Sequence, residues 1–479
     1  MGSLKQSAYY AIGIVMMKGI SLVMIPYITH KMTLVEYGSL EAIVLLADIG
    51  TILFSFGIVE AMYRYVGVAE GEEKRKLVSN CFTLSVLVCV LGGALIALSM
   101  PLLLLLMLPV EFQPYQILLL LIPTMLDGAI SIPLTLMRMN ALAKRFCMLN
   151  VLKASVQAAM TFALLEAGYG IDGVLISAAV SSVLLMLCLL RYQWQEMGTF
   201  GSLKYSAKIL KFGLPTLVGG ASMYMITGLD RWVMASFVGV EELAIYAVSG
   251  KFALLLGLLL QPYALWWFPN RVAMLQQPDG KKECADRALV GVNLAIVLGC
   301  LMILTVPGFI TLILPSSYQY AGTIVVALLA IGVIKNAGDY LNLGCFSGDS
   351  SQSQMWIQGG CAILATIGYL VVTPIYGVWA VVVVLCGTYA VRLSLLYIVS
   401  QKMEYLPYDH RKWMAALSIA ILAITSDRLL GWVLIDVHDF VLGSFVAIVT
   451  LVVFVRYSVI PVPQALLDKF TLGKQSHVS

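Results

Sequence analysis

Leu243–Leu260, LAIYAVSGKFALLLGLLL, is a stretch of eighteen residues in which Lys251 is the sole charge. An apolar run of about 18 residues or more is long enough to cross the hydrocarbon layer of a bilayer as a helix. A lysine at the middle of such a run survives only if it faces a water-filled cavity, pairs with an opposite charge or meets a polar ligand. The same arrangement recurs along the chain. Lys18 interrupts Tyr9 to Ile28, Asp48 interrupts Ile43 to Val59, and Lys335 with Asp339 interrupts Ile324 to Leu343. Charges placed repeatedly at bilayer depth point to a pathway through a membrane.

The composition excludes a water-soluble chain of this size. Of 479 residues 60% are hydrophobic and 12% charged, and the mean hydropathy is +0.92, which leaves too little polar surface to cover a soluble fold. Apolar runs of about 20 residues predict an all-α polytopic membrane protein with about 14 transmembrane helices, centred near Ile20, Ile52, Val90, Met125, Val156, Val180, Ser222, Leu255, Val297, Leu329, Thr366, Val384, Leu422 and Ala447. Barrel strands would be shorter and would alternate apolar with polar residues. Val78 to Leu108 reads as one long or broken span with Pro101 near its outer end.

The net charge of +4 is mainly topological. With the N-terminus placed inside, Lys and Arg crowd the inner segments: Lys5, Arg64, Lys74–Lys76, Arg138, Lys144, Arg145, Arg191, Lys204, Lys208, Lys211, Arg271, Lys281, Lys282, Arg287, Lys402, Arg411, Lys412, Arg456, Lys469 and Lys474. The outer set is Lys31, Arg231 and Arg428. This asymmetry predicts both termini in the cytoplasm and an even number of spans. One inner loop, Phe346 to Ser353, carries no base and leaves the span count there least secure. The nine cysteines sit in or beside apolar runs without metal-ligand spacing and read as small buried hydrophobes. The first apolar run is too long for a signal-peptide core and is expected to remain as a helix.

The chain also repeats itself. Ser3-Leu4-Lys5-Gln6-Ser7-Ala8 leads into the first span and Ser202-Leu203-Lys204-Tyr205-Ser206-Ala207 into the seventh. Tyr169-Gly170-Ile171-Asp172-Gly173-Val174 is echoed by Tyr376-Gly377-Val378-Trp379-Ala380-Val381, and Val35-Glu36-Tyr37-Gly38 more loosely by Val240-Glu241-Glu242-Leu243. Each copy holds about six spans, an even number, so the two copies share one orientation. The expected organisation is an N-terminal six-helix lobe at 1–200, a C-terminal six-helix lobe at 201–405 facing it across a cleft, and two additional helices with a cytoplasmic tail at 406–479.

The basic lead-in, the acidic-aromatic turn Leu34-Val35-Glu36-Tyr37-Gly38, the Tyr-Gly-Ile-Asp-Gly-Val turn with its echo, and the six-plus-six-plus-two layout resemble the polysaccharide-transporter, Wzx-type flippase family of the multidrug/oligosaccharidyl-lipid/polysaccharide exporter superfamily. The resemblance implies translocation of a polyprenyl-diphosphate-linked oligosaccharide across the cytoplasmic membrane by alternating access around a cationic cavity. The expected partners are a lipid-linked oligosaccharide and membrane lipid, with polysaccharide-assembly proteins alongside, and the energy is expected from a Na+ or H+ gradient, the membrane potential or consumption of the flipped product; no cofactor and no nucleic acid are expected. That family has no strict catalytic signature, so candidate residues rest on local physics.

A diphosphate-sugar headgroup needs positive charge and donors in a sheltered cavity, and lysine is a flexible point charge suited to a cargo that must be released. Lys18 and Lys251, near mid-depth in opposite copies, are the first candidates for headgroup contact; the alternative for Lys18 is pairing with Asp48. Lys335-Asn336-Ala337-Gly338-Asp339-Tyr340-Leu341-Asn342 is the most polar intramembrane stretch. Lys335 is a third candidate, although Lys335 and Asp339, four apart on one helix face, would also suit an internal ion pair. Lys153 is a fourth, closer to the cytoplasmic end of its span, where it could snorkel instead. Asp48, Asp127 and Asp339 are candidate ion-coupling carboxylates, against ion pairing with Lys18 or Lys153 for the first two.

Asp230-Arg231 and Asp427-Arg428 fall near outer helix ends and read as solvated pairs, while Trp266, Trp267 and Tyr318 read as interfacial anchors. Pro26, Pro123, Pro133, Pro215 and Pro262 punctuate helices in both copies. The rival functions are an ion-coupled drug or organic-cation antiporter, which would favour carboxylates over lysines at mid-depth, and a membrane polysaccharide polymerase or ligase. An enzyme of that kind would need a sizeable outer loop and clustered acid-base residues; the outer loops are short and His30, His410, His438 and His477 are dispersed. No Gly-x-x-x-x-Gly-Lys-Ser/Thr phosphate loop is present to support primary pumping.

Overall fold

A computed structural model describes residues 2–106, 113–346, 352–434 and 438–457. Residues 347–351 of the base-free inner loop Phe346 to Ser353, and the tail carrying Lys469 and Lys474, lie outside the described residues. Among these residues the long elements are all helices. In chain order they are α1 (Gly2–Lys31), α2 (Leu34–Ser55), α3 (Ile58–Tyr65), α4 (Gly71–Leu106), α5 (Pro114–Met139), α6 (Ala143–Glu166), α7 (Gly170–Met197) and α8 (Ser206–Thr227). They continue with α9 (Leu229–Val233), α10 (Val240–Leu275), α11 (Gly280–Ile313), α12 (Ala321–Tyr340), α13 (Gln352–Tyr376), α14 (Val378–Met403), α15 (His410–Val433) and α16 (Asp439–Arg456). Thirteen spans among the described residues are long and apolar enough to cross a membrane. The remaining member of the expected set is α2, 22 residues long, or about 33 Å at 1.5 Å per residue.

The second span departs from the reading of Ile43–Val59 as one run. α2 ends at Ser55, Phe56 and Gly57 adopt positive φ of 44° and 62°, and α3 resumes at Ile58. The cause is a close backbone approach: a Cβ on Gly57 would lie 2.1 Å from Thr216 Oγ1 and 2.4 Å from the Gly213 carbonyl oxygen of α8. Hydropathy favours continuation there, and backbone packing overrides it. Val78–Leu106, by contrast, belongs to a single helix, α4, which runs through Pro101.

The repeated turns have a shared conformation. Gly170 has φ 50° and Gly377 φ 61°, a left-handed conformation that disfavours side chains with a Cβ; the first opens α7 and the second stands between Tyr376, the end of α13, and Val378, the start of α14. Asp172 then ties α7 to α5 by accepting hydrogen bonds from Tyr115 Oη at 2.6 Å and Gln116 Nε2 at 2.7 Å. The acidic turn is a capping box: the Glu36 amide donates to Thr33 Oγ1 at 3.2 Å and the Thr33 amide to Glu36 Oε2 at 2.8 Å. Its echo touches it directly, since a Cβ on Gly38 would lie 1.8 Å from the Val240 carbonyl oxygen. Pro26, Pro123, Pro133, Pro215 and Pro262 all lie within continuous helices.

Two aromatic residues expected at interfaces are core residues instead. Trp267 is fully buried against Cys284, Ala285 and Ala288 of α11, and Tyr318 is buried as well, whereas Trp266 is exposed. The chain divides into two compact units, Met1–Ala247 with Ala365–Val381, and Val248–Leu364 with Val382–Ser479. In the first, one core joins Ile58, Met62, Val78, Phe82, Ile132 and Leu136. In the second, α11 carries the packing: Ala416, Ala420 and Ala423 of α15 and Leu442, Val446 and Phe454 of α16 join its Leu289, Val292, Val297 and Leu304 in a single cluster.

Candidate functional site

In the first unit Lys18 is exposed on α1 and makes no ion pair among the described residues, so the expected alternative of a Lys18–Asp48 pair is not formed. Asp48, partly buried on α2, acts electrostatically on Arg231 and Tyr224 instead. Asp127 of α5 and Lys153 of α6 do pair, with Nζ to Oδ1 at 3.7 Å, and their side chains remain 46% and 24% exposed. That distance and exposure leave the pair loose enough for either group to take another partner.

The same unit contains a polar network that position in the sequence concealed. Asp230-Arg231 is not a solvated pair: Asp230 is 4% exposed and accepts from Tyr246 Oη at 2.6 Å and from the Arg231 amide at 2.9 Å. Burial pushes the Asp230 carboxyl up, opposed by the Arg231 guanidinium and the Tyr246 hydroxyl. Glu41, also buried, takes a hydrogen bond from Tyr37, and Trp232 Nε1 donates to Tyr224 Oη at 2.8 Å. The signal was present in the acidic Glu41, which stands two residues ahead of the run beginning at Ile43. Distance from a helix end says nothing of how many neighbours cover it.

In the second unit Lys251 is partly buried in α10, and the neighbouring Ser249 Oγ donates to the Ala321 carbonyl oxygen at 3.1 Å. The polar segment of α12 is organised otherwise than its spacing predicts. Asp339 pairs with Arg392 of α14, Nη2 to Oδ1 at 2.8 Å, rather than with Lys335 one turn away. Arg392 is buried, and its Nε donates to Gln358 Oε1 of α13 at 2.9 Å. Arg271, placed by its position among the inner basic residues, is buried too; it donates to Asn342 Oδ1 at 2.8 Å and lies 4.8 Å from the Phe268 ring and 4.5 Å from that of Phe346. Arg392 was legible by the rule that exposes Lys251, as the lone charge between Val378 and Ser400. At the end of α15 and the start of α16, Asp427, Arg428, Trp432 and Asp439 line a cavity of about 180 Å3.

Lysines, arginines and aspartates set into the spans of a helical membrane protein need a polar cavity, an ionic partner or a ligand. The model of the polysaccharide biosynthesis protein family matches residues 3–273, and the chain belongs to that family. A lipid II flippase, MurJ, in an inward closed conformation superposes with a TM-score of 0.74 at 13% identity, covering 93% of this chain and 98% of that one. An outward-facing multidrug resistance MATE family transporter of the MOP superfamily superposes with a TM-score of 0.56 at 13% identity, over 83% of this chain and 95% of its own. An inward-facing one gives 0.55 at 14% identity, over 80% and 97%. At these identities the likeness is one of fold. A search of curated protein sequences gives no match.

Proposed function

We propose that the protein flips a polyprenyl-diphosphate-linked oligosaccharide, such as a capsule, O-antigen or exopolysaccharide repeat unit, across the cytoplasmic membrane by alternating access of its two six-helix lobes. The observation that carries this reading is the placement of Lys18 and Lys251 near the middle of α1 and in α10, in a chain of the polysaccharide biosynthesis family. Each lysine places a positive charge at a depth where hydrocarbon excludes an unescorted diphosphate. Lys335 and Lys153 extend the cationic set. The prenyl tail remains in lipid while the headgroup crosses.

The protein acts as a carrier rather than an enzyme, with both termini in the cytoplasm and Na+ or H+ as the coupling ion. Asp48, Asp127 and Asp339 are the coupling candidates. The half-exposed Asp127 also favours a second reading, organic-cation antiport, because a carboxylate open to water suits a cationic cargo. Reconstitution separates the two. Liposomes bearing the protein should move a fluorescent prenyl-diphosphate oligosaccharide to a leaflet where an added quencher reaches it; ion-driven efflux of an organic cation without that movement assigns the antiporter.

A further inference from the structure

Three cations in the second unit share one carboxylate. Arg392 and Arg271 are 6% and 7% exposed, and among the described residues the one carboxylate with which all three cations interact is Asp339, bonded to Arg392 and acting on Arg271 and Lys335. Arg271 reaches only the backbone of that residue, with Nη1 3.5 Å from the Asp339 carbonyl oxygen. Lys335 senses Asp339 and Arg392 electrostatically but makes no hydrogen bond or ion pair among the described residues. Removing a cation from water costs several kcal/mol unless an anion compensates it. Among the described residues one carboxylate stands against three cations, with Asn342 and the Phe268 and Phe346 rings as further contacts of Arg271, so the cluster keeps a net positive charge. Asp339 is also the more accessible partner of its pair, at 30% against 8% for the Arg392 side chain, so Asp339 is the partner with room to move off the guanidinium when another anion arrives.

Twenty residues of α10 separate Lys251 from Arg271, about 30 Å along a helix, so this cluster is distinct from the mid-depth lysine. Resting on the flippase reading and its inner-facing basic loops, we propose that Lys335, Arg392 and Arg271 form a second anion station in the inner half of this unit. It takes the diphosphate of the incoming substrate, and Asp339 is the internal anion that the phosphate displaces from Arg392. A diphosphate supplies negative charge to a cluster whose described residues carry a net positive one, and a guanidinium pairs with phosphate oxygens as readily as with a carboxylate.

Isothermal titration of the detergent-purified full chain with inorganic pyrophosphate tests this. Arg392→Gln and Lys335→Gln should each weaken binding about tenfold, the order measured for loss of one charge-assisted contact. Asp339→Asn should tighten it about threefold or more, because the internal competitor is gone. A merely structural ion pair gives the opposite sign for Asp339→Asn. Weaker binding by Asp339→Asn, equal binding by all variants, or no binding by the wild type overturns the proposal. If Arg392→Gln is not monodisperse, Lys335→Gln and Asp339→Asn decide between the same outcomes. Geranylgeranyl diphosphate should displace pyrophosphate; displacement only by phosphatidylglycerol nanodiscs would make this a lipid site and overturn the assignment. Intact flipping with pyrophosphate binding unchanged across the variants sinks the station alone, whereas cation efflux without flipping sinks the flippase reading.

Discussion

Arg392 and Asp339 meet at 2.8 Å with the guanidinium side chain 8% exposed, and that combination sets the energetics at the residue scale. Removing one partner strands the other in a poorly hydrated site, while removing both strands neither. A double-mutant cycle of Arg392→Gln and Asp339→Asn, read by denaturant unfolding in detergent, should therefore give a coupling of about 1–3 kcal/mol; additive effects would show that the pair contributes nothing. Tyr246→Phe should cost about 1–3 kcal/mol, because it leaves the buried Asp230 carboxylate without the hydroxyl that donates to it at 2.6 Å. A melting temperature equal to wild type would contradict that role. These pairs were the least legible feature of the sequence. Spacing correctly suggests that Lys335 and Asp339 share a helix face, but it cannot report that a guanidinium from α14 approaches more closely than the lysine one turn away.

Hydropathy made the spans legible at the scale of elements, since a bilayer imposes one length and one polarity on every crossing helix. The interruption at Phe56–Gly57 was not legible, because it arises from a neighbour's backbone rather than from local polarity. Gly57→Ala combines a left-handed φ of 62° with a Cβ placed 2.1 Å from Thr216 Oγ1 and should destabilise the first unit by about 2 kcal/mol or more. Gly443→Ala puts a Cβ 1.9 Å from the Leu304 carbonyl oxygen where α16 crosses α11 and should do the same to the second unit. Both are read from thermal unfolding of the purified variants, with Gly219→Ala, where a Cβ meets nothing within 4 Å, as the control. Equal stability of all three would contradict the close-approach account. The turn motifs carried more than identity: Gly170 and Gly377 share a left-handed φ at, or one residue before, a helix start, which is why so short a motif repeats.

At the scale of the whole molecule, the proposed function requires Lys18 and Lys251 to recognise an anionic headgroup. Family membership and an all-helical fold are compatible with several cargoes, and the charge of the cargo is the property that this arrangement of lysines should select. The most direct test is the initial flipping rate of a fluorescent polyprenyl-diphosphate oligosaccharide in proteoliposomes carrying wild type, Lys18→Gln, Lys251→Gln or the double variant, at matched protein content. Each single variant should lose about tenfold or more, and the double variant should flip at a rate near that of empty liposomes. Flipping by the double variant at the wild-type rate would contradict the proposed function.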